Sequence, residues 1–131
     1  MDIGEALGRP IPFGKLLGIQ MVEHGKGKAV LEVDLRPELL NSAGVAHGGV
    51  TMTILDIAMS VAARTKDPKG KFAVTIEMKT SFIAPARGKL TVHADCLQLG
   101  GSVGFCEGEA RDESGTVVAR ASGTFMVRRE A

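Results

Sequence analysis

Between Ala29 and Arg36 the side chains alternate: Ala29, Leu31, Val33 and Leu35 face one way, and Val30, Glu32, Asp34 and Arg36 the other. A period of two marks a half-buried strand. The turn-forming run His24-Gly25-Lys26-Gly27 leads into it. Upstream, Arg9-Pro10-Ile11-Pro12-Phe13 is punctuated by prolines, and Phe13 to Leu17 is expected to form a short helix that ends at Gly18. From Val50 to about Thr65 the period changes to that of a helix. Its polar positions reduce to a narrow stripe of Thr53, Asp56, Ser60 and Arg64, with Gly49 on the same line. A helix this apolar must be covered on several sides, and one flat sheet covers only one. The sheet is therefore expected to curl, with a second subunit available to cover more.

The remainder reads as β. Phe72, Val74, Ile76, Met78, Thr80 and Phe82 alternate with Ala73, Thr75, Glu77, Lys79 and Ser81 in one long strand that stops at Ala84-Pro85. A further strand is expected from about Lys89 to Leu99. Another runs from Val103 to Asp112 with Gly104, Cys106, Gly108 and Ala110 on one face. The last runs from Thr116 to Val127, with Val117, Ala119, Ala121, Gly123 and Phe125 together. Turns at Gly100-Gly101 and Glu113-Ser114-Gly115 make these three an antiparallel meander. Two strands with small side chains on one face leave room for a bulky object against the backbone, and the apolar helix is the expected occupant. A tight Gly100-Gly101 hairpin would set Cys96 opposite Cys106.

The length of 131 residues, with neither repeat nor linker, argues for a single domain over 1–131. A net charge of +1 gives no electrostatic case for nucleic acid, and Trp and Tyr, the usual stacking platforms, are absent. No apolar run reaches the roughly 18 residues that span a bilayer, so no membrane partner is expected. Met1-Asp2-Ile3-Gly4-Glu5 lacks the basic start and apolar stretch of a signal peptide, and a cytoplasmic location is the expectation. Two cysteines cannot make a disulfide framework, and a reducing cytosol keeps them as thiols. Three dispersed histidines, at 24, 47 and 93, give no expectation of a metal site.

Chemistry concentrates in Asn41-Ser42-Ala43-Gly44-Val45-Ala46-His47-Gly48-Gly49-Val50, which runs into the long helix, with Asp56 two turns later. Glycines at a helix start let another molecule approach the backbone, where free N–H groups and the helix dipole favour negative charge. An oxyanion developing on a thioester carbonyl suits such a place. The Asn41 side chain carries an N–H donor that could join them. Each residue also has a plainer reading. Asp56 could be an exposed acid on an amphipathic helix, His47 a helix-start residue, Gly48 and Gly49 a loop-to-helix turn, and Asn41 a turn residue.

The pattern Asn-(x)5-His-Gly-Gly-(x)6-Asp, followed by the strand Phe72–Phe82 and then Ile83-Ala84-Pro85-Ala86, resembles the hotdog-fold acyl-CoA thioesterases of the phenylacetate-pathway (PaaI-type) group, within the 4-hydroxybenzoyl-CoA thioesterase superfamily. The likeness extends over about residues 12–128. It implies an α+β hotdog fold, a curved antiparallel sheet wrapped around one long central helix. It further implies two subunits joining their sheets side by side, two shared active sites per dimer, and commonly a tetramer of two dimers. The Gly48 N–H would polarise the thioester carbonyl, supported by Asn41 and His47 of the same subunit. Asp56 would come from the other subunit, as general base on water or as nucleophile on the thioester carbon. Thr75 would help to place the water.

The reaction implied is hydrolysis of a medium-chain or aromatic acyl-CoA to free acid and CoA, with no cofactor. Gly49 is a further candidate for substrate contact. Arg87 is a candidate for the CoA phosphates, as are Lys89, Arg64, Lys69 and Lys71, although a solvated loop explains these cations equally well. Gly101 and Ser102 are candidates for contact with the pantetheine arm. Glu77 is expected to face outward with Lys79. Three alternatives share parts of the pattern: a hotdog hydratase or dehydratase, whose motif is not found here; a non-enzymatic acyl-CoA binder, which would have no need of Asp56; and a structural oligomerisation module, which needs no glycine pair aimed at a ligand.

Overall fold

A computed structural model describes residues 1–129. Two short helices, α1 (Ile3–Leu7) and α2 (Pro12–Leu17), precede the hairpin β1 (Gln20–Gly25) and β2 (Lys28–Asp34). A single 3-10 turn at Pro37–Leu39 leads to the long helix α3 (Gly48–Lys66). Four strands follow: β3 (Phe72–Phe82), β4 (Lys89–Gly100), β5 (Val103–Arg111) and β6 (Val117–Arg128). All six strands form one antiparallel sheet in the order β1-β2-β4-β5-β6-β3. The expected meander is therefore β4-β5-β6, and β3 is placed as an edge strand beside β6.

The sheet curls around α3, which packs against every one of its strands. Ile54, Leu55, Ala58, Met59, Ala62 and Ala63 have no exposed surface. The small-residue face of β5 makes this approach possible. A Cβ on Gly108 would lie 3.0 Å from Leu55 Cδ2, and one on Gly104 3.2 Å from Ala63 Cβ. Truncating Leu55 to Ala in such a core costs about 2–5 kcal/mol. Cys96 and Cys106 are register partners across β4 and β5, both buried and both thiols. Burial, and then the neighbouring Cys96, push the Cys106 thiol well above the ordinary thiol range. This is the curved sheet around a central helix, the α+β hotdog fold, that the family resemblance implies.

Three local expectations change. In β3 the alternation does not keep Phe72, Val74 and Ile76 on one side with Met78, Thr80 and Phe82. A bulge intervenes, since Thr75 pairs with Phe125 while Glu77, two residues on, pairs with the adjacent Thr124. The extra residue reverses the facing of everything beyond it. Ala73 and Thr75, beside Val127 and Phe125, therefore share the helix side with Met78, Thr80 and Phe82. In β6 a similar slip between Ala110 and Arg111 of its partner β5 buries Val118, while Val117 lies half-buried outside the expected row. The strand β1 and helix α1 are additions to the sequence reading. The β1 pairing also slips, between Met21 and Glu23, so Val22 breaks the alternation that would have announced a strand.

Candidate active site

The loop into α3 is built from its own polar groups. Asn41 N–H donates to Val45 O at 2.8 Å, and Asn41 Oδ1 accepts from Ala43 N at 2.9 Å and Val45 N at 3.3 Å. Its carbonyl side is thus committed to the turn, which leaves Nδ2 as the donor without a partner among the described residues. His47 N donates to Leu39 O and Ala46 N to Ala86 O, both at 2.9 Å, so the loop is tied to the 3-10 turn and to the segment after β3.

His47 is the N-cap of α3, and its Nδ1 accepts from Gly49 N at 2.9 Å. An acceptor at Nδ1 places the ring proton on Nε2. The ring folds so closely over Gly49 that a Cβ there would lie 3.0 Å from Nδ1, which is why glycine stands at that position. The next two amides, of Val50 and Thr51, turn back to His47 O at 2.9 and 3.3 Å. Of the four N–H groups that a helix start leaves over, only that of Gly48 has no acceptor among the described residues. The Gly49 amide, considered for substrate contact on sequence grounds, is occupied by His47.

Gly48 lines a cleft of about 410 Å³ between the start of α3 and the connection from β3 to β4. Asn41, Phe82, Ala84, Pro85 and Ala86 form other parts of its wall. The Phe82 ring covers Gly48, its Cε1 lying 3.4 Å from where a Cβ would stand. The sequence reading missed Phe82. The signal was its place just before Ile83-Ala84-Pro85-Ala86, but the bulge hid its facing. Arg87 is exposed one residue beyond Ala86 and does not line the cleft.

The acid of the motif lies elsewhere. Asp56 Oδ1 accepts a hydrogen bond of 2.6 Å from Thr75 Oγ1 of β3. Eight residues of α3 separate Asp56 from Gly48, which at 1.5 Å per residue is about 12 Å. Gly101 and Ser102 are also distant from Gly48. They form the β4–β5 turn, and Ser102 O accepts from Val127 N, whose residue pairs with Ala73 at the Thr75 end of β3. The candidate residues thus form two groups. Asn41, His47, Gly48 and Arg87 lie at one end of the chain's fold, and Asp56, Thr75, Gly101 and Ser102 lie towards the other. No group of three His, Cys, Asp or Glu among the described residues is placed to hold a metal ion. No helix among them is long and apolar enough to cross a membrane.

One curled antiparallel sheet wrapped around a long buried helix defines the chain as a hotdog protein. Residues 43–119 match the family model described as the Thioesterase superfamily. A Saccharolobus solfataricus protein provisionally named an esterase is 33% identical over 88% of this chain and 82% of its own length. The medium/long-chain acyl-CoA thioesterase YigI of Salmonella typhimurium is 23% identical over 95% of this chain and 91% of its own. Among solved structures, the PaaI protein of the phenylacetic acid degradation operon of E. coli superposes with a TM-score of 0.86 at 24% identity, over 95% of this chain and 90% of that one. The chain belongs to the thioesterase superfamily and is a thioester hydrolase.

Proposed function

We propose that the chain hydrolyses acyl-CoA thioesters carrying medium-chain or aromatic acyl groups, in the cytoplasm, as a homo-oligomer whose active sites are each shared by two copies. The separation of Gly48 from Asp56 carries this reading. An oxyanion donor must lie about 2.7–3.1 Å from the carbonyl oxygen, and the attacking group about 3–3.5 Å from its carbon. A carbonyl that accepts from Gly48 N–H keeps its carbon within roughly 4 Å of that nitrogen, whereas Asp56 stands about 12 Å along the same helix, so the two groups serve one carbonyl better when they come from two chains. A second copy supplies the missing group. The free edge of β3 carries exposed Val74 and Ile76, and joining it to the same edge of a second copy brings the two groups of site residues towards each other. Two such dimers form the tetramer.

In this arrangement the thioester oxygen accepts from Gly48 N–H, aided by Asn41 Nδ2 and the outward Nε2–H of His47. The second copy's Asp56, held by its own Thr75, removes a proton from water as that water attacks, or itself attacks the carbonyl carbon. The C–S bond breaks and CoA leaves as the thiol; the acid is released at once on the water route, and on the nucleophile route after water hydrolyses the anhydride formed with Asp56. The apolar wall of Phe82, Ala84 and Pro85 beside Gly48 suits the carbons next to the thioester carbonyl. The relative named for medium/long-chain acyl-CoA supports the same substrate class. Arg87 meets the CoA phosphates at the rim, and Gly101 and Ser102 of the second copy meet the pantetheine arm.

The test is thiol release from a panel of CoA esters by wild type and Asp56→Asn. Loss of turnover with substrate binding retained is the expected outcome. Full turnover by Asp56→Asn would remove the carboxylate from the mechanism. Single-turnover hydrolysis in labelled water separates the two roles of Asp56, because label enters the aspartate only if an anhydride forms.

A further inference from the structure

The polar stripe of α3 does not end at Asp56. Ser60 and Arg64 continue it at intervals of four residues, about 6 and 12 Å further along the helix axis. Both line a second pocket of about 270 Å³, enclosed by α3, the start of β3 and the segment after α1. Its lining includes neighbours of the Asp56–Thr75 pair. Ile57 follows Asp56 on the helix, and Ala73 shares the helix side of β3 with Thr75, which holds Asp56.

Its lining is unusual in charge. Ile11, Ile57 and Val61 give it apolar walls, while Arg9, Arg64 and Lys71 are its charged residues and no acid is among them. None of the three cations makes a salt bridge to a described residue. Arg9 stacks on the Phe72 ring at 4.9 Å. Arg64 Nε is buried with no hydrogen-bond partner, a costly state for a charged donor. Burial, and then Arg9, hold the Arg64 guanidinium below the ordinary arginine value.

We infer that this pocket receives the far end of the acyl group, and that Arg64, with Arg9 and Lys71, selects acyl thioesters ending in a carboxylate. The inference rests on the reading of Asp56 as the group that drives attack. Arg64 stands about 12 Å from Asp56 along the helix axis, and it lines the pocket together with Ile57 and Ser60, which lie between them on α3. An extended chain advances roughly 1.3 Å per bond. A dicarboxylic acyl group of about six to eight carbons therefore spans from the reacting carbonyl to the guanidinium, its methylenes against Ile57 and Val61. The CoA phosphates are a poorer fit, because the pantetheine arm places them roughly 16 Å beyond the sulfur. Water adds to the thioester carbon, the C–S bond breaks, and the products are a free dicarboxylic acid and the CoA thiol.

The experiment compares kcat/KM for suberoyl-CoA with that for octanoyl-CoA, in wild type, Arg64→Met and Lys71→Met. Melting temperatures show that each variant is folded. The ratio is expected to fall roughly 10- to 100-fold in Arg64→Met, the scale of one charge-assisted hydrogen bond. An unchanged ratio, whether both substrates suffer equally or neither does, overturns the inference and assigns Arg64 to phosphate binding or to packing. The suberoyl and octanoyl thioesters of pantetheine, which lack phosphates, repeat the comparison with that contribution removed. Calorimetric binding of free suberate against octanoate keeps this test separate from the proposed function. Suberate binding that Arg64→Met abolishes supports the pocket even if no thioester is turned over, and equal or absent binding of the two acids counts against it.

Discussion

Thr75 Oγ1 donates to Asp56 Oδ1 across 2.6 Å, tying the acid of α3 to the edge strand of the sheet. The bond fixes the carboxylate's rotamer and leaves Oδ2 for water or substrate. Thr75→Val removes the donor while keeping the shape. The expected result is a fall in kcat of about tenfold with little change in KM, since a hydrogen bond to a charged group is worth about 1.5–3 kcal/mol. Thr75→Ser should restore most of the rate. Asp56→Asn should cost more, about 10²- to 10⁴-fold. Steady-state thiol release on the four proteins checks the order.

The two glycines at the helix start should respond oppositely to substitution. A Cβ on Gly49 displaces the His47 ring and removes the N-cap bond. Gly49→Ala is therefore expected to forfeit the roughly 1 kcal/mol that alanine otherwise gains over glycine in a helix, read as a urea midpoint no higher than wild type. Gly48 occupies the first helical position, which accepts proline readily, and His47 before it already has the extended backbone that proline requires (φ −62, ψ 136). Gly48→Pro should keep the unfolding midpoint and abolish turnover, because it deletes the helix-start N–H that has no acceptor among the described residues.

Much of this was legible in the sequence because it depends on local periodicity. The stripe Thr53-Asp56-Ser60-Arg64 and the small face Gly104-Cys106-Gly108-Ala110 follow from 3.6- and 2-residue repeats, and both stand as expected. Thr75 and Phe82 were harder. A bulge at Ile76 is a decision of strand pairing, made where β3 meets β6, and no residue type at positions 75–77 announces it. The same holds for the division of the site. Spacing along the chain places Gly48 and Asp56 on one helix, and the rise of that helix puts them about 12 Å apart, the separation on which the proposed sharing of the site between two copies rests. That three cations converge on one pocket is also a product of tertiary packing, since Arg9, Arg64 and Lys71 come from three separate segments.

Asp67, at the end of α3, accepts from Arg129 Nε at 2.8 Å and from Lys69 N at 3.0 Å. The Arg129 bond first, and the Lys69 amide next, hold its carboxyl below the ordinary 3.8. A depressed folded pKa means that the stabilisation is complete above the unfolded value and is lost as pH falls through the folded one. Asp67→Asn should therefore melt below wild type at pH 7. The gap should close as pH drops below about 3.8, and a gap constant with pH would assign the effect to packing alone.

Mixing two inactive variants tests the division of the site directly. In a two-fold dimer with shared sites, a Gly48→Pro chain paired with an Asp56→Asn chain builds one site with both defects and one with neither. Random reassembly of equal amounts makes half of the dimers mixed, and half of the sites in those are intact. Activity should recover to about one quarter of wild type, although each parent alone has almost none. If instead amide and carboxylate served the same site from one chain, no pairing would restore a complete set and the mixture would stay inactive. Charging the β3 edge with Ile76→Lys should lower recovery and oligomer mass together, because the like charges would meet where two edges join. Recovery in the mixture thus reports whether amide and carboxylate reach one carbonyl from two chains or from one.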